Sequence, residues 1–283
     1  MPAYTLIADS GATKTDWCLV ANGRKKTYFT KGISPYFLST DQIAGLINAE
    51  LLPKLKNVII SDLFYYGTGC LDPNNAKSVK QALKTQFPTA EIEVGTDVLA
   101  AAKAVCGRNK GLVANLGTGS FCCYFNGKKI MNQIPGIGYV LGDEGSGAYL
   151  GRKVIQYYLY HTFDNYLRER FDEKYKTNKS EILENVYKKP FPNRYIANYT
   201  MFLAENRGHY MVENILEDGI NDFFFRHLTT YKEASKYPIG FVGSVAFGFK
   251  DVLEQLCQTY DFELGQVLKT PMDGLVKYHG SSE

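Results

Sequence analysis

The sequence predicts an α/β protein of two lobes. Two glycine-rich hairpins of matching layout predict it, as does an alternation of strands and helices, and so does a length of 283 residues, more than one domain usually holds. Residues 7–26 read IADSGATKTDWCLVANGRKK, and residues 113–129 read VANLGTGSFCCYFNGKK. In each, an apolar run enters a turn of small polar residues and glycine. A second apolar run leaves it, and Asn-Gly with lysines closes the unit, which is hairpin grammar. Asp9 to Asn22 spans thirteen positions and Asn115 to Asn126 eleven, so the copies differ by a small indel. Turns of Gly, Thr and Ser offer N–H and hydroxyl donors to an anion. Two such turns suggest two lobes gripping one polyphosphate.

The elements follow in order. SPYFLSTDQIAGLINAELLPKL carries a helix, with Ser39 and Gln42 as a capping box and Ile43, Leu46, Ile47 and Leu51 at helical spacing. LFYYG (63–67) is a strand. Asp72-Pro73 starts a helix running through Phe87, with proline at its first position. EIEVG (91–95) is a strand, and Asp97 opens the helix DVLAAAKAV. This alternation implies a sheet with a parallel part. The lobe boundary falls near Gly107–Gly111, and GLVANLG (111–117) begins the second lobe. One helical region is expected from about Ser146 through Arg170, and a polar helix-and-loop stretch over 172–195. HYMVENILEDGINDFFFRHLTTY reads as a long amphipathic helix, PIGFVG (238–243) as a strand, VAFGFKDVLEQLCQTY as a helix, FELGQVL as a strand and PMDGLVKYH as a short terminal helix. Beyond the hairpin pair no repeat is visible.

Composition is that of an ordinary globular chain, 45% hydrophobic and 22% charged. A net charge of +3 is too small to argue for nucleic acid or a membrane. MPAYTLIADSG enters a strand directly with no signal-peptide pattern, and no apolar run is long enough to span a bilayer, so the expected compartment is the cytoplasm. The six cysteines (Cys18, Cys70, Cys106, Cys122, Cys123, Cys257) lack a C-x-x-C pair and lie mostly in apolar runs, as buried free thiols do. The four histidines (His161, His209, His227, His279) show no metal-ligand spacing and read as surface or satisfied core residues.

Each candidate motif has a functional and a structural reading. In DSGATKT (9–15), Asp9 ends a strand, where a carboxylate suits Mg²⁺ or a metal-bound water. Ser10, Gly11, Ala12 and Thr13 form a turn that phosphate oxygens can approach, with Lys14 and Thr15 adding a charge and a hydroxyl. The same residues also make a plain hairpin turn, and the Walker A spacing is absent. LGTGS (116–120) fails the dinucleotide fingerprint, because Cys122 replaces the third glycine and a strand follows. Two phosphate-type hairpins favour function more than one does. Asp97 is either a helix N-cap or a base for a substrate hydroxyl. PGIGYVLGDEGSGAYLG (135–151) sets Asp143 and Glu144 among six glycines, a density that favours a ligand loop over a simple connection. GFVGSVAFG (240–248) is a strand–helix turn that could also seat an adenine or ribose, and YYGTGC (65–70) is a structural turn.

With these pieces in order, the chain resembles the acetate kinase/hexokinase/actin superfamily, and more closely the BadF/BadG/BcrA/BcrD ATPase family in its N-acetylglucosamine kinase branch. The resemblance spans nearly the whole chain. It implies a two-lobed actin-like (ribonuclease H-like) duplication with the nucleotide cleft between lobes. Residues 1–108 with a returning helix at 271–283 would form one lobe, and 109–270 the other, with a helical insertion at about 150–235. It implies an ATP-dependent sugar kinase using ATP and Mg²⁺, with a small-molecule sugar as partner and a homodimer as the family expectation. Asp97 would be the catalytic base and Asp9 would hold Mg²⁺ through water. Ser10, Gly11, Ala12, Thr13, Lys14, Thr15, Gly117, Thr118 and Gly119 would bind phosphates, and Gly243, Ser244 and Ala246 adenosine. Ser34, Asp97, Ser120, Phe121, Gly136, Gly138, Asp143 and Glu144 would meet the acceptor. Two positions depart from the family pattern, since Ser34 and Phe121 stand where asparagines usually contact the amino sugar. The phosphate machinery is therefore intact while the sugar-reading shell is altered. Alternative readings are an ATPase activator of the BadF type, or a non-catalytic sugar or nucleotide sensor.

Overall fold

The computed structural model describes residues 4–11, 13–55, 58–134 and 136–280. The chain divides into two compact units, Met1–Arg108 with Pro271–Glu283, and Asn109–Thr270.

The first unit opens on a three-strand meander, β1 (Tyr4–Ser10), β2 (Lys14–Ala21) and β3 (Arg24–Lys31). Asn22 and Gly23 both take positive φ, 50° and 73°, in the two-residue turn between β2 and β3, the form that matches strand twist. There follow α1 (Thr40–Glu50), α2 (Leu52–Leu55), β4 (Ile60–Gly67), α3 (Pro73–Gln86), β5 (Glu91–Thr96) and α4 (Asp97–Cys106). The expected capping box of Ser39 with Gln42 is present on α1, and Asp72 caps α3 ahead of Pro73. The sheet order is β3-β2-β1-β4-β5, with β4 parallel to β1 and β5 parallel to β4.

The second unit holds β6 (Lys110–Leu116), β7 (Ser120–Asn126), β8 (Ile130–Ile134), α5 (Gly138–Leu141), α6 (Gly147–Leu159), α7 (Asn165–Tyr175), α8 (Lys179–Tyr187), α9 (Pro192–Ala197), α10 (Thr200–Glu205), α11 (Tyr210–Arg226), β9 (Ile239–Val242), α12 (Ser244–Gly248), α13 (Lys250–Thr259) and β10 (Leu264–Leu268). Its sheet order, β10-β9-β6-β7-β8, is that of the first unit read from the other edge. The repeat visible in the residues only as a hairpin pair thus extends to all five strands, as the duplication implied by the family resemblance requires. Two expected single helices are broken. His161 enters the left-handed region at φ 57° between α6 and α7, where Asp164 caps the new helix, and Phe249 interrupts α12 and α13.

Each sheet buries one face in its own core. The first packs Leu6, Ala8, Trp17 and Leu19 against Ile43, Ile47, Val79 and Leu83 of α1 and α3. The second packs Leu112, Ala114 and Cys122 with apolar residues of α6 to α11, among them Phe171, Phe202, Phe223 and Phe224. None of the six cysteines forms a disulfide, and five are buried while Cys106 is partly so. Among the described residues no helix is long and apolar enough to cross a membrane.

The chain ends in α14 (Met272–Gly280), which returns to pack on α4. Lys103, buried on α4, donates to Tyr66 Oη at 2.9 Å and to Glu93 Oε1 at 2.8 Å. Tyr66 Oη lies 2.8 Å from His279 Nε2. Since lysine can only donate, the tyrosine proton points to a neutral imidazole. Burial, then the nearby Lys103 charge, pushes the His279 pKa down to about 4, consistent with that acceptor role. The helices touch at Gly274, where a β-carbon would lie 2.4 Å from the Ala104 carbonyl oxygen. Gly274→Val is expected to destabilise the protein by about 1–3 kcal/mol through overpacking. Gly280→Ala, where nothing lies within 4 Å, is the control. Urea denaturation should show a lower midpoint for Gly274→Val alone, with unchanged slope.

Candidate functional site

In the first unit three parallel strands end side by side. Ser10 pairs with Gly67, and Gly67 with Thr96, so β1, β4 and β5 share one C-terminal edge. That edge is where α/β sheets place ligands. The register of β1 on β2 sorts its residues by face. Leu6/Leu19, Ala8/Trp17 and Ser10/Thr15 form one row toward the apolar core, while Ile7/Cys18 and Asp9/Asp16 face the side where α4 and α14 pack.

The hydroxyls of the first turn serve the fold. Ser10 Oγ and Thr15 Oγ1 are buried and 2.7 Å apart. Thr15 Oγ1 donates to the Lys31 carbonyl at 3.3 Å, and Ile33 N donates to Ser10 Oγ at 3.4 Å. The Gly11 N–H closes the turn on the Lys14 carbonyl at 3.0 Å. Thr15 was expected to present its hydroxyl to phosphate; its burial and these bonds direct it inward. Thr13 and Lys14 remain exposed, and Ala12 lies outside the described residues. Lys14 Nζ sits 2.8 Å from Asp16 Oδ1, a close ion pair.

Three carboxylates therefore gather with one ammonium. Burial, then repulsion from Asp16 and Asp97, pushes the Asp9 pKa from 3.8 up to about 7, with Lys14 opposing. Among the described residues no three His, Cys, Asp or Glu side chains converge to hold a metal by themselves. A partly buried carboxylate with two more near it suits Mg²⁺, which keeps waters and shares its sphere with phosphates.

Asp97 does not cap α4. Thr96 does, accepting from Leu99 N at 3.1 Å, and Asp97 is the first helical residue, its Oδ1 accepting from Val98 N at 2.9 Å. Water reaches the Asp97 side chain while protein atoms crowd its other sides. Burial pushes its carboxyl upward against the lowering effect of the Val98 N–H. Ser34 is buried, and its carbonyl accepts from Phe37 N and Leu38 N. Its neighbour Ile33 binds Ser10, which brings this loop to the same edge. Thr68 N donates to the Ser10 carbonyl at 3.1 Å, so YYGTGC is a structural turn.

In the second unit the glycine turn, the acidic loop and the β9–α12 turn come together. Gly117 N donates to the Gly119 carbonyl, and Gly147 N and Ala148 N donate to the carbonyls of Gly117 and Thr118. Asp143 takes the left-handed conformation at φ 57°, and its Oδ1 lies 3.5 Å from Ser120 N. A β-carbon on Gly119 would lie 3.0 Å from Asp143 Oδ2, and one on Gly136 3.0 Å from the Ser120 carbonyl. Burial raises the Asp143 pKa, with Ser120 N opposing and Glu144 adding repulsion. Gly243, at φ 126°, passes so close that its β-carbon would lie 2.2 Å from the Leu116 carbonyl oxygen. Ser244 is exposed, but Ala246 is fully buried in the core and touches this turn only by packing. Gly138 has open space where a β-carbon would stand, and its carbonyl accepts from Gly142 N at 2.8 Å. Phe121, partly buried, pairs with Asn115 on the sheet face away from the core.

Sequence reading missed several residues here. Asp16 was hidden because its partnership with Asp9 depends on register. Asn115 braces the turn, its Nδ2 donating to the Gly119 carbonyl at 3.4 Å. His227 and Arg226 approach Glu144 from the end of α11, with no local sequence signal.

This twice-built sheet, with a glycine turn between the first two strands of each copy, is the fold of two-lobed actin-like ATPases and sugar kinases. The chain is 38% identical to a protein from Porphyromonas gingivalis provisionally named an N-acetylglucosamine kinase, with a TM-score of 0.91 over 97% of this chain and 98% of that one. It belongs to that protein's family. A similarly named protein from Chromobacterium violaceum shares 17% identity and a TM-score of 0.72 over 98% of both chains. A ROK family glucokinase from Streptomyces griseus, solved with glucose and AMPPNP, shares the fold at 15% identity and a TM-score of 0.54 over 98% of both chains. No protein-family model matches the chain, and no curated protein does.

The Asp9 shift has a consequence for stability. The folded state holds that proton more tightly than the unfolded chain, so stability falls as pH rises from about 4 to about 7 and stays low above. Asp9→Asn should therefore stabilise the metal-free protein at pH 8 by on the order of 1 kcal/mol or more, with little gain near pH 4. Urea denaturation in EDTA at the two pH values checks this.

Proposed function

We propose that the protein is an ATP-dependent sugar kinase, of the BadF/BadG/BcrA/BcrD type, that transfers the γ-phosphoryl group to a hydroxyl of an amino sugar or hexose. The observation that carries this reading is Asp97. It stands at the C-terminal edge of the parallel strands, one oxygen held by Val98 N and its carboxyl pushed above its ordinary value by burial, the direction that suits a general base. Support comes from the family relationship and from a distant neighbour of the same fold that holds glucose and AMPPNP.

In this reading the two compact units are the two kinase lobes. We assign the backbone of Ser10, Gly11 and Thr13 to phosphate, and likewise that of Gly117, Thr118 and Gly119, with Lys14 adding charge and the Gly243–Ser244 turn assigned to the adenosine. Asp9 would hold Mg²⁺ through water; that ion neutralises charge on the phosphates. Relief of the crowding among Asp9, Asp16 and Asp97 favours cation binding there. Asp97 orients the acceptor hydroxyl and takes its proton as the hydroxyl oxygen bonds to phosphorus and the bond to the ADP oxygen breaks. Asp143, Glu144, Ser120 and Gly136 contribute acceptor contacts from the second unit, and Ser34 from the first. Phe121 offers a ring face where an amide would otherwise read an acetamido group, which favours acceptors beyond N-acetylglucosamine.

A coupled ADP-release screen over hexoses and amino sugars tests the reading. Asp97→Asn should lower turnover by about 100-fold or more, and leave ATP affinity within about threefold, because the lost interaction belongs to the transition state. Turnover at the normal level in that variant, or ADP release indifferent to every sugar, would sink the assignment.

A further inference from the structure

The acidic loop is shaped against the end of α11. Phe223 and His227 lie one helical turn apart and stack, with ring centroids 4.9 Å apart, and both meet the loop. A β-carbon on Gly145 would lie 2.9 Å from Phe223 Cβ, and His227 Nε2 lies 3.0 Å from Glu144 Oε2. Both partners of that last contact are buried. Arg226 Nε is more distant, 3.8 Å from Glu144 Oε1, on a side chain that is 59% exposed. Asp222, on the same stretch of α11, accepts from Tyr149 Oη at 2.6 Å, just after the loop enters α6. A carboxylate can only accept, so Nε2 carries the proton and donates it. The other nitrogen, Nδ1, is buried and makes no hydrogen bond among the described residues, where the ring's hydrogen bond is the one to Glu144.

We propose that His227 is a positioning residue for acceptor binding, an inference that rests on the kinase reading above. It pins Glu144, and through Glu144 the adjoining Asp143. Asp143 reaches Ser120 N, while the same loop donates from Gly147 and Ala148 to the carbonyls of Gly117 and Thr118. Removing the imidazole leaves a buried carboxylate without its donor, and such a group moves toward water when its backbone allows. The backbone does allow it, because glycines stand at 142, 145 and 147 around the two acids. Asp143 would then leave the second glycine turn, and acceptor contacts would fail before nucleotide contacts do.

The test compares His227→Leu with His227→Gln, which restores an N–H donor near the same place. With the sugar found in the screen, His227→Leu should raise the acceptor KM by about 10- to 100-fold, the usual consequence of an orphaned buried charge. Its ATP KM should stay within about threefold of wild type, and His227→Gln should recover most of the loss. Amide hydrogen exchange over residues 142–148 should quicken in His227→Leu and not in His227→Gln, whether or not any sugar is turned over. Unchanged exchange in that segment, or an acceptor KM equal to wild type, overturns the role of His227. Equal rises in both KM values with no recovery in His227→Gln also overturn it, because they mark a general structural defect. A wild-type protein that phosphorylates no sugar overturns the kinase reading, while the exchange data still decide whether His227 holds the loop.

Discussion

The register of β1 on β2 is the constraint on which the candidate chemistry of the first unit depends. Strand side chains alternate faces with a period of two, so a slip of one residue would exchange the rows. Register as built places Ser10 and Thr15 inside, where their hydroxyls satisfy each other and anchor the turn. The same register places Asp9 and Asp16 on the opposite face, and β5 delivers Asp97 to the neighbouring edge. The fold holds this crowding of carboxylates because Trp17, Leu6 and Leu19, in the other row, are fixed in the apolar core. Hydrophobic burial of one row thus determines where the charges of the other row must stand.

The second unit repeats the register with different residues. Leu112, Ala114 and Leu116 take the core face, leaving Asn115 and Phe121 where the first unit has Asp9 and Asp16. Four residues separate Ser10 from Thr15, and three separate Leu116 from Ser120. The shorter turn is compensated by close backbone approach. Gly243 lies against the Leu116 carbonyl, and Gly147 donates to the Gly117 carbonyl. No side chain larger than hydrogen fits at Gly243, where both the space and a φ of 126° exclude a β-carbon. The two copies divide the electrostatics accordingly, one concentrating carboxylates and the other backbone donors with a single acidic loop.

Most elements could be read from the sequence because their signals are local. Capping residues, Asn-Gly turns and apolar periodicity all operate within a few positions, as Ser39, Asp72 and Asn22 illustrate. What escaped was set by register or by long-range contact. Asp97 read as a cap because Asp fills that role well, yet the preceding Thr96 fills it and Asp97 stands as the first helical residue. The full five-strand duplication followed from the family resemblance and not from any repeat in the residues, because β4 and β5 share topology with β9 and β10 but not residue pattern. His227 sits 83 positions from Glu144, beyond any window in which spacing carries information. Thr15 shows the converse case, since its type suited a ligand but its pairing turned it inward.

The distribution of unsatisfied groups points to the same places. Nearly all buried polar atoms in folded proteins find partners, so exceptions call for an explanation. Among the described residues four buried side-chain atoms make no hydrogen bond of good geometry, Tyr65 Oη, Ser120 Oγ, Tyr175 Oη and His227 Nδ1, and a fifth, Asp16 Oδ1, has only the Lys14 ammonium 2.8 Å away. Three of these five belong to the carboxylate cluster, the second glycine turn and the brace of the acidic loop. A fourth, Tyr65, lies under Gly67 at the shared strand edge. A fold selected only for stability would satisfy such atoms or replace them with apolar groups. Their concentration beside a carboxyl raised to about 7 and an aspartate in the left-handed region marks where local rules are broken together. That pattern is expected where a protein gives up some stability in order to bind.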